Sequence, residues 1–407
     1  MKLQKITAGL LSVLLLGSAS VAFAQTDEPQ TLRVTYANVE STVRSSNQTI
    51  LANQKTLDSL ESNDEAEKKQ DEIAAGRKQL QDLSAQLQTT YQSVAGLPGQ
   101  EAVAASLQGS IASLNAIVSI LKGQEEQLEI SDDTIEQTEL QMDAAADEIV
   151  VAAQKLYVTY HSLDAQRKQL SGQKKLLDET LKIAQLKADL GLMTQAELLS
   201  AKQQSLTLND SMTALLNQMQ AVKNQLRVLL GYSDSYSLSI SSMPEPDANF
   251  SSTISETEDR QTAQDENWTL KQKKLARDIA KDNKDSDLDS TVDDYRAASL
   301  NYTLALNTFQ SSFSRVYADV AEKQGKLSSA QAAYDTKAKA LENVTLQNAV
   351  GVASDIDLKS AQTELSGAQA ALDQAKLALF SSQEQYRWAL RGVISTSGAV
   401  SYTHLTL

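Results

Sequence analysis

A chain of 407 residues with 52 acidic and 37 basic side chains carries a formal charge of −15, which repels nucleic acid and anionic lipid surfaces and argues against both as partners. Cysteine is absent, so disulfides, thiol nucleophiles, cysteine-based zinc sites and lipid attachment through an N-terminal cysteine are excluded together. Four prolines punctuate a composition rich in Ala, Leu, Gln, Lys, Glu and Ser, with only Pro98 between the leader region and Pro244, which predicts long helices in an elongated bundle.

Lys2 and Lys5 precede an apolar run from Ile6 to Leu16, and Ala22-Phe23-Ala24 supplies small residues for a signal peptidase, so residues 1–24 read as a signal peptide and export is expected. No later uninterrupted apolar run is longer, and a permanent transmembrane helix is not expected. Residues 25–60 begin a first helical repeat that resumes over 131–232. Between them, 61–130 reads as charged helices broken at Gly96-Leu97-Pro98-Gly99, an inserted helical hairpin.

In the segment 131–232 a seven-residue apolar period runs through Ile149, Leu156, Leu163, Leu170, Leu177 and Ala184, the pattern of helices that wind around one another. After Gly191 two interleaved series continue through Ala201, Leu208, Leu215, Val222, Leu229 and through Leu198, Met212, Met219, Leu226. Each arm is expected to hold about 36 to 40 residues, or roughly 55 to 60 Å at 1.5 Å per residue. Residues 233–255 read as a linker, in which Tyr236–Ile240 alternates like a short strand before Pro244 and Pro246.

A second repeat is expected over 256–392. A shift of 160 residues places Leu190-Gly191-Leu192-Met193-Thr194 on Val350-Gly351-Val352-Ala353-Ser354 and pairs Tyr157 with Tyr317, Leu186 with Leu346 and Ala201 with Ala361, without a gap. This is an internal duplication. In each copy a glycine able to turn left-handed ends one helix and a hydroxyl residue three positions on starts the next, Thr194 with Glu197 and Ser354 with Asp357 as capping pairs. Asn47-Gln48-Thr49-Ile50-Leu51 echoes Asn267-Trp268-Thr269-Leu270 at the repeat starts. The tail, 393–407, ends in an eight-residue segment, 400–407, that resembles a translated sequencing adapter, so His404 is left uninterpreted.

The duplicated hairpins, the Gly-x-x-[Ser/Thr]-x-x-[Asp/Glu]-Leu tips, the returning helices ending at Gly231 and Gly392, the leader and the proline linker together resemble the TolC-like outer membrane efflux protein family. That resemblance implies an all-α protomer of long coiled-coil hairpins in two tandem repeats, a homotrimer whose helices close a twelve-helix cylinder, and an adaptor protein and an inner-membrane pump as partners. It implies a passive conduit of a tripartite export system, with no cofactor and no catalytic residue. It places the adaptor contacts at Leu190, Gly191, Leu192 and Thr194 in one tip and at Val350, Gly351, Val352 and Ser354 in the other. The location it implies is the outer membrane and periplasm in a two-membrane envelope, and otherwise the cell envelope or the exterior.

One departure stands out. Family members that cross an outer membrane insert two strands between the outer helices of each repeat, and a barrel strand needs about 9 to 11 alternating residues. Residues Lys281 to Asp294 are acidic and polar, and the first repeat holds the helical insert there, so barrel strands are expected to be absent. The alternative function is then a non-conducting coiled-coil envelope scaffold derived from the same family. Elsewhere the chemistry is bland. His161 beside Tyr160 lacks partners for a zinc site or a triad and reads as an interhelical or surface histidine. Asp285, Asp287 and Asp289 open like a calcium loop, but Ser290 and Arg296 stand where it needs Gly and Glu, leaving a solvated acidic turn.

Overall fold

The computed structural model describes residues 30–61, 66–97, 100–125, 132–286 and 288–394. The leader at 1–24, the adapter-like segment at 400–407 and Asp287 lie outside them. Eleven helices and two short strands make up the described residues. Two long antiparallel hairpins dominate: α5 (Asp132–Asp189) with α6 (Gln195–Leu229), and α10 (Asp289–Ala349) with α11 (Asp355–Leu390). α11 also packs along α5, so the order across the layer is α6, α5, α11, α10, with α6 and α10 at its edges.

The arms are unequal, which corrects the expected length. The returning helices hold 35 and 36 residues, but the rising helices hold 58 and 61. At 1.5 Å per residue, α5 and α10 reach about 87 and 92 Å. Each runs on past the end of its returning partner because a second, shorter helical segment continues the partner's path. For α6 that segment is α2 (Gln48–Glu61), joined at Asn47 to α1 (Tyr36–Ser46), which lies beside α5; for α11 it is α9 (Trp268–Asp282), joined at Asn267 to α8 (Glu256–Glu266), which lies beside the end of α11.

The echo between Asn47 and Asn267 marks the joints. Each asparagine is buried and breaks its helix with an extended backbone. Asn47 Oδ1 accepts from the amides of Thr49 and Ile50, and its Nδ2 donates 2.8 Å to Leu229 O at the end of α6. Asn267 repeats this, with Oδ1 accepting from Leu270 N and Nδ2 donating 3.1 Å to Gly392 O after α11. Only glycine fits opposite. Gly231 and Gly392 have φ of 80° and 95°, and an added Cβ would sit 1.9 Å from Ser46 O and 2.1 Å from Glu266 O.

A second set of contacts joins the two halves. Asp147 on α5 is buried; it pairs with the Arg44 guanidinium from α1 and accepts the Trp268 indole N–H from α9 at 2.9 Å. One heptad along α5, Gln154 Oε1 accepts the Trp388 indole N–H from α11 at 2.7 Å. These are the two tryptophans of the chain. Arg391 closes the set by bonding Glu40 of α1 while its guanidinium lies 3.9 Å from the Trp388 ring.

β1 (Gln30–Val34) pairs in parallel with β2 (Tyr236–Ile240), Leu32 opposite Leu238, drawing the segment before α1 to the segment after α6. Tyr157 of α5 donates 2.6 Å to Ser241 O and holds this linker on the layer. The 4-residue α7 (Phe250–Thr253) follows, and Phe250 meets Tyr386 edge-on.

The inserted segment forms α3 (Ala66–Val94) and α4 (Glu101–Glu125), antiparallel to each other. It does not extend the molecule. Ser106 meets Thr159 and Ser113 meets Lys155, so α4 runs backwards along α5, and Ser84 to Asn115 fixes α3 on α4. By length and composition Glu101–Leu121 could cross a membrane, but Val103, Leu107, Leu114, Ile117 and Leu121 are buried within the bundle. Between α9 and α10, residues 283–286 make a short turn.

Two stability outcomes follow from the joints. Gly231→Ala combines left-handed strain of about 1 to 2 kcal/mol with a backbone clash and should cost roughly 3 kcal/mol or more in chemical denaturation, whereas Gly191→Ala, whose Cβ meets nothing within 4 Å, should cost only the strain. Asp147→Asn removes the charge facing Arg44 and should destabilise by about 3 kcal/mol. Equal midpoints for Gly231→Ala and Gly191→Ala would refute the close-approach argument.

Candidate functional site

Both hairpin tips point the same way, because α5 and α10 each run antiparallel to α11. The first tip closes with Leu192 N donating 2.8 Å to Lys187 O around Gly191, whose φ is 74°. The second closes identically, Val352 N to Gln347 O at 2.8 Å around Gly351 at φ 76°. This six-to-one bond around a left-handed glycine satisfies carbonyls that a helix end leaves unpaired.

The next helix starts within three residues. Thr194 Oγ1 accepts from Glu197 N at 3.3 Å, and Glu197 Oε2 accepts from Thr194 N at 2.9 Å and from Thr194 Oγ1 at 2.8 Å. Ser354 and Asp357 repeat all three contacts at 3.2, 2.9 and 2.7 Å. Hydrogen bonds from Thr194, backbone first and then side chain, hold the Glu197 carboxyl below its usual range; for Asp357 the Ser354 hydroxyl leads and its backbone follows. The second tip has one more tether, Asn348 Nδ2 donating to Ala353 O and to Asp355 Oδ1.

These closures leave aliphatic side chains in solvent. Leu190 and Leu192 are 64% and 74% exposed, Val350 and Val352 75% and 76%. Gly191, Thr194, Gly351 and Ser354 are exposed as well and serve the turns. Four of the eight tip residues therefore offer apolar surface and four shape the backbone beneath it. Leu186 and Leu346 belong to the same surface, each exposed and one turn before the tip aliphatic. Their pairing across the 160-residue shift, at positions off the buried seam, was the signal for them.

His161 is not at the tips. It lies half-buried on α5 with ring centroids 4.9 Å from Tyr157 and 5.7 Å from Tyr160, and burial lowers its pKa below the usual histidine range.

Neither a protein-family model nor any curated protein matches the sequence. Solved structures share the fold. CusC, known from structures describing folding and transmembrane channel formation, superposes with a TM-score of 0.52 at 13% identity, over 77% of this chain and 96% of that one. The fold is that of a TolC-like outer membrane efflux protein. The outer membrane protein VceC of Vibrio cholerae is also similar, at 15% identity and TM-score 0.46 over 71% of this chain and 76% of that one. So is the CmeC outer membrane channel of Campylobacter jejuni, at 13% identity and TM-score 0.46 over 70% and 69%. This TolC-like fold is present with all described strands confined to β1 and β2.

Because the folded pKa of Glu197 and Asp357 lies below the unfolded value, their contribution to the tip turns is complete above the ordinary carboxylate range and is lost as pH falls through the folded pKa. Amide exchange at Thr194–Glu197 and Ser354–Asp357, compared with buried α5 amides, should quicken selectively in acid. Thr194→Ala should produce the same several-fold quickening at neutral pH in the first tip alone.

Proposed function

We propose that this chain is a passive conduit component of an export system, a homotrimer whose tips engage an adaptor protein that couples it to an inner-membrane pump. The single observation that carries the reading is the pair of matched tips at one end of the layer, each a rigid glycine turn crowned by exposed aliphatics. A monomer has no use for four aliphatic side chains held in water at the far end of rods about 50 Å beyond their last joint. The open edges at α6 and α10 support the trimer. The duplication relates the α5–α11 contact within the chain to an α10–α6 contact between chains, and repeating it closes a ring.

The two repeats correspond in this reading to 25–60 with 131–232 and to 256–392, joined by 233–255 and interrupted by the insert at 61–130. Leu190, Gly191, Leu192 and Thr194, with Val350, Gly351, Val352 and Ser354, are the adaptor contacts. Catalysis has no place in it, since energy and selection would come from the partners.

The scaffold alternative has one observation in its favour. The positions where outer-membrane-crossing relatives place strands hold a folded-back helical hairpin and the turn at 283–286. A non-conducting envelope rod would need neither strand pair.

Sedimentation velocity of residues 25–399, with and without detergent, separates the two. A trimer supports the ring, and a monomer or dimer in both conditions means the scaffold. Gly191→Val and Gly351→Val should each strain a tip without a clash elsewhere and weaken adaptor binding at least tenfold, and unchanged affinity in both would remove the tips from the interface.

A further inference from the structure

We propose that His161 is an acid-sensitive fastening: protonating it loosens the linker that joins the two repeats from the helical layer. The proposal concerns the single chain and does not depend on its assembly into a ring.

The linker leaves β2 at Ser241 and passes from α5 to α11. Ser241 N donates 2.8 Å to Val34 O, and its hydroxyl accepts from Arg33 Nε at 3.1 Å, so the start of the linker is tied to the strand pair. On α5 the Tyr157 hydroxyl holds Ser241 O. One turn later His161 lies against the Tyr157 ring on the same side of the helix. On α11, Gln383 exchanges two hydrogen bonds with the backbone of Asp247, and Lys376 pairs with Glu245 at 2.9 Å. A cavity of about 360 Å³ lies between the linker, α5 and α11, and His161 forms part of its wall.

The imidazole is badly placed to carry a charge. Its Nε2 is buried and has no hydrogen-bond partner. The charged groups that share the cavity are already engaged. Asp164 of α5 bonds Arg167 and Lys168, Glu245 of the linker pairs with Lys376 of α11, and Asp373 of α11 accepts from Gln369. Arg33 of β1 adds a further positive charge beside Ser241. Burial pushes the Tyr157 phenol up to about 12 and raises Tyr160 as well, so neither ring ionises in this range. Burial lowers the pKa of His161, against the Ser241 backbone and Asp164, which favour the charged ring.

An imidazolium in this position carries a second N–H, and a buried donor without an acceptor is costly. Swinging into the cavity towards Asp164 or Asp373 would pair it, but takes the ring off Tyr157 and away from Ser241. The helical packing of the repeat does not itself call for this side chain. The shift of 160 residues that pairs Tyr157 with Tyr317 places His161 on Ala321, which is exposed. Because the folded pKa lies below the unfolded value of about 6.5, the hold of the neutral ring on the linker is complete above that value and is lost as pH falls through the folded pKa.

Amide exchange in the full chain, corrected for the intrinsic pH dependence of exchange, reads this directly. From about pH 7.5 to about pH 5, protection of residues 236–243 should fall at least about threefold relative to buried α6 amides around Val222. His161→Phe keeps a ring on Tyr157 but cannot titrate, and its protection should show no such fall. His161→Gln repeats the comparison where phenylalanine does not pack. Wild-type protection that holds steady, or an equal fall in the variants, overturns the proposal. A second measurement is independent of those variants. The chain holds two histidines, so His404→Gln leaves one imidazole, whose NMR titration should have its midpoint below about 6.5; a midpoint at or above that value overturns the proposal as well.

Discussion

The buried carboxylate of Asp147 is the constraint around which the two halves are organised. A charge this deep is tolerated only when donors surround it, and here they come from both repeats: the Arg44 guanidinium from the first, the Trp268 indole from the second. Gln154, one heptad further along α5, receives the other tryptophan. Bonding two indoles to one helix, one of them buried and the other half-buried, fixes how far the second hairpin slides along the first, because a shift by one turn would strand an N–H, a carboxylate and an amide. Register between the repeats is therefore set by a few polar contacts, and the long apolar seams, which tolerate sliding by a heptad, need not set it.

The same stretch of α5 is enclosed on every side, by α6, α1, α11 and α4, and its polar residues have diverged to match. Glu148 and Lys155 lie in the contact with α4, where Ser113 bonds both. Burial drives Glu148 up and Lys155 down, while each one's charge opposes the other's shift. The duplicated positions on α10 are Thr308 and Arg315, exposed and without such a pair. Two copies of one helix thus carry different chemistry because only one of them is covered by the insert.

What could be read from the residues was whatever is local. The tips were legible because Gly191 with Thr194 and Gly351 with Ser354 encode their own turns, and the all-α TolC-like fold was legible because the duplication kept its seam. The pairing of β1 with β2 was only half visible: Tyr236–Ile240 alternates, but Gln30–Val34, of the same length, lies too close to the leader to declare itself. The length of α5 and α10 was underestimated because nothing in their sequence marks the level at which α6 and α11 stop; Asn47 and Asn267 do that, on other helices. The echo between those asparagines was visible, but its meaning depends on Gly231 and Gly392 arriving from far along the chain.

The direction in which the insert folds was not legible, for a physical reason. α4 is apolar enough on one side to pack against any long helix, and its sequence does not distinguish continuing away from the layer from folding back along it. The decision lies in small polar matches, Ser106 with Thr159 and Ser113 with Lys155, that have no periodic signature. Folding back covers the stripe of α5 that carries Glu148, Lys155 and Thr159, whereas continuing away would have left Glu148 and Lys155 in water and lengthened the rod. The inserted segment forms a second layer on the helical body, and the tips at the far end carry the same turn chemistry in both repeats.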